Sequence, residues 1–300
     1  MSVITSLLKK SSISFVGGGN VAKAVIGGLR QHMHPSQIVV CEPDLQRAEA
    51  LKKELGVRIK SDSQPAFSID SKPVDAVVLA VKPDVIKTIL TGDLGKEIIE
   101  NKPLLLSVAA GVQMSSYRKW LASTSDESKA SQIPLVRTMP NTPCLVNFGA
   151  IGIYGDSTVT EKHKSLVDAV LQSVSAPKGL FWLNKEEHLD VVTAVSGSGP
   201  AYFFYMIELI EKEAVRLGLP GDVARSLAAS TAIGSGMMLF GQNFEKLQDP
   251  EQLRKNVTSP NGTTHAAIEA FKKANFGNAV EQGIQACVRR SKELAQTLKD

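Results

Sequence analysis

The sequence predicts an α/β protein: an N-terminal, doubly wound parallel sheet with helices on both faces, followed by an all-α domain. Three observations support this fold class. A glycine-rich turn, Gly17–Ala22, follows the short apolar run Ile13–Val16. Further apolar runs alternate with helical patterns, an order that favours right-handed crossovers between parallel strands. After about residue 175 only helical periodicity remains. We therefore place the two domains at residues 1–176 and 177–300.

The strands of the first domain are identified by apolar runs. They are Ile13–Val16, Ile38–Cys41, Val57–Ile59, Val74–Val81, Leu104–Val108, Leu135–Met139 and Ala150–Tyr154, with Gly179–Leu183 as a candidate last strand. The unbroken apolar run from Val74 to Val81 is typical of a parallel strand that is covered on both faces. The segment Ala122–Ser131 is rich in Ser, Asp and Lys, and we expect an exposed loop there.

Helical patterns fill the rest of the chain. The first domain has them at Val21–Arg30, Asp44–Leu55 and Glu161–Val174, and the second at Glu186–Val195, Ala201–Leu217, Asp222–Phe240, Gly262–Ala274 and Asn278–Leu298. Asp44 is a suitable N-cap and Gly56 a suitable residue after the helix end. Pro83, directly after a strand, fits the first turn of the next helix.

Composition and charge are those of a globular protein with about two domains. The 300 residues include 34 Lys and Arg against 30 Asp and Glu, a net charge of +4. The two signs are interspersed, so neither nucleic acid nor a membrane is an expected partner. The five histidines have no carboxylate or cysteine at ligand spacing, and we expect no metal site.

The cysteines indicate a reducing compartment. Cys41, Cys144 and Cys287 are far apart, odd in number and without a C-x-x-C pair, so we expect free thiols. The first ten residues have neither the pattern of a secretory signal nor the arginines of a mitochondrial leader. We expect a cytoplasmic location, with mitochondria as the alternative.

The glycine turn predicts a dinucleotide site. Gly17, Gly19 and Ala22 match G-x-G-x-x-G/A, the turn that opens the helix of a Rossmann-type βαβ unit. Gly17 permits the tight turn, Gly19 lets a pyrophosphate approach the backbone, and Ala22 lets the helix lie close to the strand. The free N–H groups at the helix start then face the anion.

Other predicted strands end in residues that belong beside this turn. Glu42, Lys82 and the Ala109–Gly111 segment each follow a strand, and ligands of such sheets bind beyond the carboxyl ends of the strands. Lys82 taken alone is equally consistent with a solvated lysine. Because Lys82 and the glycine turn both follow strands of the same predicted sheet, we favour a functional role for Lys82.

A second candidate site is the segment Asn256–Thr264, directly before an apolar helix. Its hydroxyl and amide side chains, together with free N–H groups at a helix start, can hold a carboxylate. A helix-capping loop has the same composition and is the alternative interpretation.

The helix Asp222–Phe240 also allows two interpretations. Ala224, Ala228, Ala232 and Gly236 lie on one face and permit close helix packing. The stretch Ser226–Asn243 lacks charge but is too rich in Ser, Thr, Gly and Gln for a clear membrane span. It is either a core helix of one domain or a helix buried between two subunits.

Five motifs in order make the chain resemble the pyrroline-5-carboxylate reductases, which catalyse the last step of proline synthesis. They are Phe15–Ala22, Ala80–Pro83, Arg137–Pro143, Ser196–Tyr202 and Asn256–Thr264. The resemblance implies a Rossmann domain and a helical domain that forms an intertwined homodimer, with further assembly to a decamer in some members. It implies reduction of 1-pyrroline-5-carboxylate to L-proline by hydride from NADH or NADPH.

The resemblance also implies residue roles. The expected dinucleotide contacts are Val16, Gly17, Gly18, Gly19, Asn20, Val21, Glu42, Ala80, Val81, Lys82, Pro83, Ala109, Ala110, Gly111 and Asn256, the last near the nicotinamide. The expected substrate contacts are Glu186, Ser259, Gly262, Thr263 and Thr264. Thr263 and Thr264 would hold the carboxylate. Thr264 is the expected catalytic residue, hydrogen-bonded to the ring nitrogen, with a water as the alternative proton donor.

Two residues depart from the common pattern of that family. Glu42 stands where many members have a small polar residue, and an acidic side chain there favours ribose hydroxyls over a 2′-phosphate. We therefore expect use of NADH or of both cofactors, with Arg47 or Lys60 as residues that could still accept NADPH. Asn261 replaces a common glycine, and Asn tolerates a left-handed backbone.

Two rival functions remain at this stage. A dehydrogenase of β-hydroxy acids would usually need a catalytic lysine on a helix of the second domain, and the sequence offers no convincing candidate. A non-catalytic nicotinamide-binding regulator would keep the glycine turn but has no reason to keep the Asn256–Thr264 segment.

Overall fold

The computed structural model describes residues 3–60, 67–70, 72–241, 244 and 246–297. Its contacts divide the chain into a first unit, Met1–Gly197 with Val288–Asp300, and a second unit, Ser198–Cys287. This division falls later than the boundary that we predicted after residue 176. The reason is the last strand, Ser175–Trp182, which pairs with the strand before it and keeps this part of the chain in the first unit.

Among the described residues, ten strands and nine α-helices lie wholly within the first unit. The strands are β1 (Ile13–Val16), β2 (Ile38–Cys41), β3 (Arg58–Lys60), β4 (Ser68–Ile69), β5 (Lys72–Pro73), β6 (Ala76–Leu79), β7 (Leu104–Ser107), β8 (Leu135–Met139), β9 (Gly149–Gly155) and β10 (Ser175–Trp182). The helices are α1 (Val3–Leu8), α2 (Asn20–Leu29), α3 (Leu45–Leu55), α4 (Pro83–Leu90), α5 (Asp93–Asn101), α6 (Met114–Ala122), α7 (Glu127–Ala130), α8 (Glu161–Gln172) and α9 (His188–Val192).

Eight of these strands form one sheet in the order β10-β9-β8-β7-β6-β1-β2-β3. From β8 to β3 all neighbours are parallel, which confirms the doubly wound sheet. The pairing of β8 with β9 is antiparallel, whereas the sequence pattern led us to expect a parallel sheet. The connection from Met139 to Gly149 is too short for the helical crossover that a parallel pair needs.

Alternate strand residues face two different apolar clusters. On β6, Ala76 and Val78 belong to one cluster and Val77 and Leu79 to the other. This two-sided burial explains why the run reads as continuously apolar in the sequence.

Two local predictions need correction. The predicted loop 122–131 contains the short helix α7, because the side chain of Asp126 accepts a hydrogen bond from the Ser128 N–H at 2.8 Å and caps it. The helix predicted from Glu186 begins at His188 and continues into a π-helical turn at Thr193–Gly197.

The second unit is helical, as predicted. It comprises α10 (Gly199–Arg216), α11 (Gly221–Phe240), α12 (Pro250–Asn256), α13 (Thr263–Lys273) and the first part of α14 (Phe276–Thr297). Of its described residues, only Gly199, Ala224 and Ala228 are buried. The unit therefore has almost no core of its own.

Helix α11 is the one described helix that is long and apolar enough to cross a membrane by length and composition, and 11% of its apolar window is buried. Ala224 and Ala228 are buried, but Leu227, Ile233 and Met238 are 54–69% exposed within one chain. A helix that is apolar all round needs a covering surface. Of our two interpretations, this exposure favours burial between subunits.

Candidate functional site

The carboxyl ends of β1, β2, β6 and β7 lie side by side at one edge of the first unit's sheet. In register, Val16 pairs with Cys41 on one side and Leu79 on the other, and Leu79 pairs with Ser107. The glycine turn, Glu42, Ala80–Pro83 and Ala109–Gly111 follow these ends directly. The structure thus brings together the four strand-end groups that the sequence predicted.

The glycine turn has the geometry that the motif predicts. Gly17 has φ +97°, and a Cβ there would lie 2.7 Å from the carbonyl oxygen of Ala80. Its N–H donates to the Cys41 carbonyl at 2.9 Å. A Cβ on Gly19 would meet no described atom within 4 Å, so the backbone at the start of α2 is open to an approaching pyrophosphate. The residues present therefore fit a dinucleotide.

Glu42 is a buried carboxylate beside this turn, with 3% of its surface exposed. Its Oε2 accepts the Gly18 N–H at 2.8 Å, and its Oε1 accepts the Asp44 N–H at 3.0 Å. Arg47 Nη1 lies 3.1 Å from the same Oε2. The negative charge is therefore fixed in place, and the arginine that we considered for NADPH is already paired with it. We predicted Gly18 as a dinucleotide contact, and in the structure its N–H is already bound by the Glu42 carboxylate.

The two remaining strand-end segments are also well defined. Lys82 is exposed and N-caps α4, and Pro83 occupies the first helical position as predicted. After β7, the Ala109 N–H donates to Ser107 Oγ at 3.3 Å, and Ser107 Oγ is 2.5 Å from the Tyr117 hydroxyl. Burial raises the pKa of Tyr117 to about 12, so its hydroxyl stays neutral at physiological pH.

An ion pair that the sequence did not reveal lies at the start of α6, the helix that follows the Ala109–Gly111 segment. Arg137, on β8, is 7% exposed, and its Nη1 donates to Oε1 of Glu186. The same Oε1 accepts the Met114 N–H at 2.6 Å. We predicted Glu186 as a substrate contact, whereas Arg137 was identified only as part of a motif. A basic residue on an apolar strand was the available signal, because such a residue needs a buried partner.

In the second unit, the segment Asn256–Thr264 forms a turn that exposes the start of α13. Asn261 has φ +63°, which confirms the expected left-handed conformation. Gly262 is the N-cap of α13, and Thr263 and Thr264 are its first two residues. Both threonines and Ser259 are exposed. The first N–H groups of a helix have no acceptor within it, so this start can bind an anion.

Asn256 is the last residue of α12 and is exposed. Its Oδ1 accepts a hydrogen bond from Gln252 Nε2 at 2.8 Å. Both residues line an open hollow of about 540 Å³. In the part of the chain that the structure describes, no group of three or more His, Cys, Asp or Glu residues is placed to hold a metal ion.

Two family models match the chain. The model for pyrroline-5-carboxylate reductase dimerisation matches residues 186–294. A model for coenzyme F420-dependent NADP oxidoreductases matches residues 12–111, the part that contains the glycine turn. The first match covers α11 and accounts for its exposed apolar side chains by subunit association.

Curated relatives and solved structures extend the similarity over nearly the whole chain. The pyrroline-5-carboxylate reductase of Pseudomonas aeruginosa is 36% identical over 287 residues, which are 95% of this chain and 97% of that protein. The solved structure of the pyrroline-5-carboxylate reductase from Coxiella burnetii has a TM-score of 0.82 at 35% identity and covers 95% of this chain and 98% of its own. That of the Plasmodium falciparum enzyme, solved with NADP bound, has a TM-score of 0.76 at 25% identity and covers 96% of this chain and 99% of its own.

Proposed function

The chain belongs to the pyrroline-5-carboxylate reductase family, and on that premise we propose how its own residues bind the cofactor and the substrate. The protein is an NAD(P)H-dependent oxidoreductase that reduces 1-pyrroline-5-carboxylate to L-proline in proline biosynthesis. When bound, the reduced nicotinamide supplies the hydride. The residues of the chain orient the reactants and deliver the proton.

The cofactor binds at the strand ends of the first unit. The N–H groups of Gly19 to Val21, at the positive end of α2, would hold the pyrophosphate. Ala80–Pro83 and Ala109–Gly111 would extend the site along the same edge of the sheet. The observation that carries this assignment is the open backbone at Gly19 beside the left-handed Gly17.

Glu42 makes NADH the preferred cofactor. Its carboxylate is held by the Gly18 and Asp44 N–H groups, at the end of the second strand, where an acidic residue binds the ribose hydroxyls of NAD. A 2′-phosphate placed there would be repelled by the fixed charge. Arg47 offsets only part of that repulsion, because it is 51% exposed and already paired with Glu42.

The substrate carboxylate binds at the start of α13. Thr263 and Thr264 offer two backbone N–H groups and two hydroxyls there, and Gly262 and Ser259 shape the turn before them. Asn256, at the end of α12, keeps the role that the resemblance implies for it, next to the nicotinamide. No arginine is required, because the helix start itself attracts the anion.

The Thr264 hydroxyl hydrogen-bonds to the ring nitrogen of the substrate. The imine must be protonated at nitrogen for its carbon to accept hydride, so this nitrogen is where the chain's own chemistry acts. A water held by the same hydroxyl is the alternative donor. The reaction needs no side-chain nucleophile, because the cofactor carries out the difficult step.

The cofactor assignment is tested by following nicotinamide absorbance with 1-pyrroline-5-carboxylate and each reduced cofactor. We expect turnover with both, and a larger kcat/KM for NADH. A strong preference for NADPH would contradict the role given to Glu42, while leaving the reaction itself unaffected.

The chain forms a homodimer through its dimerisation domain. Further assembly to a decamer, which the resemblance suggests, stays a prediction for light scattering. We also propose a cytoplasmic location without membrane association. Support comes from the three cysteines, none of which forms a disulfide, as expected in a reducing compartment.

A further inference from the structure

The ion pair of Arg137 and Glu186 has no part in the chemistry proposed above. Arg137 lies on β8, in register with Ser107 of β7. Its guanidinium is almost fully buried, and its Nε has no hydrogen-bond partner in the described chain. The pairing with Glu186 is therefore its main compensation for burial, and a buried charge that loses its partner is strongly unfavourable.

The Glu186 carboxylate connects this arginine to a second element. Its Oε1 also accepts the N–H of Met114, at 2.6 Å. Met114 is the first residue of α6, so the carboxylate sits at the positive end of that helix, where a negative charge is favourable. Glu186 thus fixes the start of α6 to β8.

The segment that ends at this attachment is residues 108–113, which includes Ala109–Gly111. The other end of the segment is held by Ser107, whose Oγ accepts the Ala109 N–H and contacts the Tyr117 hydroxyl. Gly111, in the middle, has φ +80°, a conformation that other residues rarely adopt. The backbone that would line the cofactor site is therefore held at both ends, by the buried Ser107 on one side and by the partly buried Glu186 on the other.

We propose that the Arg137–Glu186 pair positions the Ala109–Gly111 segment for the reduced cofactor. Glu186 is then a positioning residue and does not contact the substrate. The inference rests on the cofactor site of the proposed function. A displaced loop weakens cofactor binding, because small shifts of a binding group lower affinity and rate steeply.

The test is the Kd of NADH, measured by nicotinamide fluorescence in the absence of substrate. Two variants are compared with the unmodified chain. Glu186→Ala removes the acceptor of the Arg137 guanidinium and of the Met114 N–H, and we expect Kd to rise about tenfold or more. Glu186→Gln keeps an oxygen for the Met114 N–H and loses only the charge, so we expect a smaller rise. In steady-state kinetics, the KM for NADH should rise while the KM for 1-pyrroline-5-carboxylate stays within about twofold.

Asp156→Asn provides the matched control. Asp156 pairs with Arg118, which lies on α6, the helix that Glu186 also contacts. The distance from Arg118 Nη2 to Asp156 Oδ2 is 2.7 Å, and both side chains are partly buried. This pair does not touch the 108–113 segment, so its loss should lower stability without changing the Kd of NADH. If the substitutions acted only by weakening the fold, the Kd of NADH would change equally in the Asp156 control and in the Glu186 variants.

Three results would overturn the proposal: an unchanged Kd in folded Glu186→Ala, equal Kd changes in Glu186→Ala and the Asp156 control, or a rise confined to the KM of the substrate. Gly19→Val separates this failure from failure of the cofactor site itself, because its side chain would fill the open approach at Gly19. If Gly19→Val abolishes NADH binding and Glu186→Ala does not, only the positioning role is wrong. If Gly19→Val binds NADH normally, the cofactor assignment is wrong.

Discussion

In the proposed site, the buried carboxylate of Glu42 is the residue to which we assign the choice between NADH and NADPH. It combines a structural role, holding the Gly18 N–H, with a fixed negative charge at the expected ribose position. The two roles can be separated by substitution, because an amide can keep the hydrogen bond to Gly18 and remove the charge.

We predict that Glu42→Gln shifts the enzyme towards NADPH. The kcat/KM for NADPH should rise about tenfold, since a change of about 1.4 kcal/mol in one charge contact produces that factor. The kcat/KM for NADH should fall by a smaller factor. The measurement is initial rates with both cofactors at saturating 1-pyrroline-5-carboxylate.

Arg47 supplies the control for this substitution. Adding Arg47→Met to Glu42→Gln should remove most of the gain with NADPH, because Arg47 is freed by the first change to meet the 2′-phosphate. If the double variant uses NADPH as well as Glu42→Gln does, the phosphate is bound elsewhere and the assignment of this position is wrong.

Sequence alone could predict the residues whose type is dictated by backbone geometry. Gly17 was expected to permit a tight turn and Asn261 to tolerate a left-handed backbone, and both residues have positive φ angles. The partners of charged side chains were not predictable, because they depend on register and side-chain direction across distant segments. The pairing of Arg137 with Glu186 joins residues 49 positions apart, which no local pattern encodes.

At the scale of elements, the start of α13 carries the proposed substrate site. Its threonines are exposed, and the turn before it is fixed by the Gly262 N–H to Ser259 carbonyl bond at 3.0 Å. The interpretation as a simple capping loop predicts that these hydroxyls affect stability only.

We predict that Thr264→Val lowers kcat/KM about 10- to 100-fold while the fold persists, because the variant loses the hydroxyl at the ring nitrogen. Thr264→Ser should retain most of the activity. Thr258→Val is the matched control in the same loop, since the Thr258 hydroxyl donates to the Arg254 carbonyl at 2.6 Å. Equal activity losses in the Thr258 and Thr264 variants would favour the capping interpretation.

The contact between α6 and the turn after β9 predicts a pH effect on stability. Burial would raise the pKa of Asp156, but hydrogen bonds from Thr158 and Arg118 outweigh it and hold the pKa below its ordinary value of 3.8. The Asp156 carboxylate thus binds a proton more weakly in the folded state than in the unfolded state. The contribution of this carboxylate to stability is complete above the ordinary pKa and is lost as pH falls through the lowered pKa.

We expect Asp156→Asn to lower the free energy of unfolding by about 1–2 kcal/mol near neutral pH. The difference from the unmodified chain should shrink as the pH falls below 3.8, the ordinary value. Urea denaturation at fixed protein concentration, repeated across that range, measures it. A constant difference at all pH values would show that the carboxylate charge is not the cause.

The order and type of the main elements followed from the sequence because strand and helix periodicities are local. The antiparallel direction of β9 did not follow from it, nor did the early start of β10 at Ser175, since strand pairing depends on the length and path of the connections. Helix α7 was missed because its four residues are too few to show a periodic pattern.

At the scale of the molecule, the second unit has apolar surface that a single chain leaves uncovered. Phe203, Phe204 and Ile233 are 67–69% exposed, and the dimerisation model spans all three. The small-residue face of α11 was predictable from the sequence. What covers its other faces was not, because the partner surface belongs to a second copy of the chain.

We predict that Ile233→Glu weakens the dimer, because it places a charge in an apolar interface. Sedimentation velocity should show monomer at concentrations where the unmodified chain is dimeric, with a lower melting temperature. Leu45→Glu is the control, since Leu45 is 70% exposed on α3 of the first unit and should not alter the oligomeric state. Dimers of unchanged stability in Ile233→Glu would place the interface elsewhere.

The most direct measurement is a crystal structure of the dimer with oxidised nicotinamide cofactor and L-proline. We predict the pyrophosphate against the Gly19–Val21 backbone and the proline carboxylate on the Thr263 and Thr264 N–H groups, with the ring carbon within reach of the nicotinamide. Ligands bound in separate clefts, too far apart for hydride transfer even when both subunits are considered, would contradict these assignments.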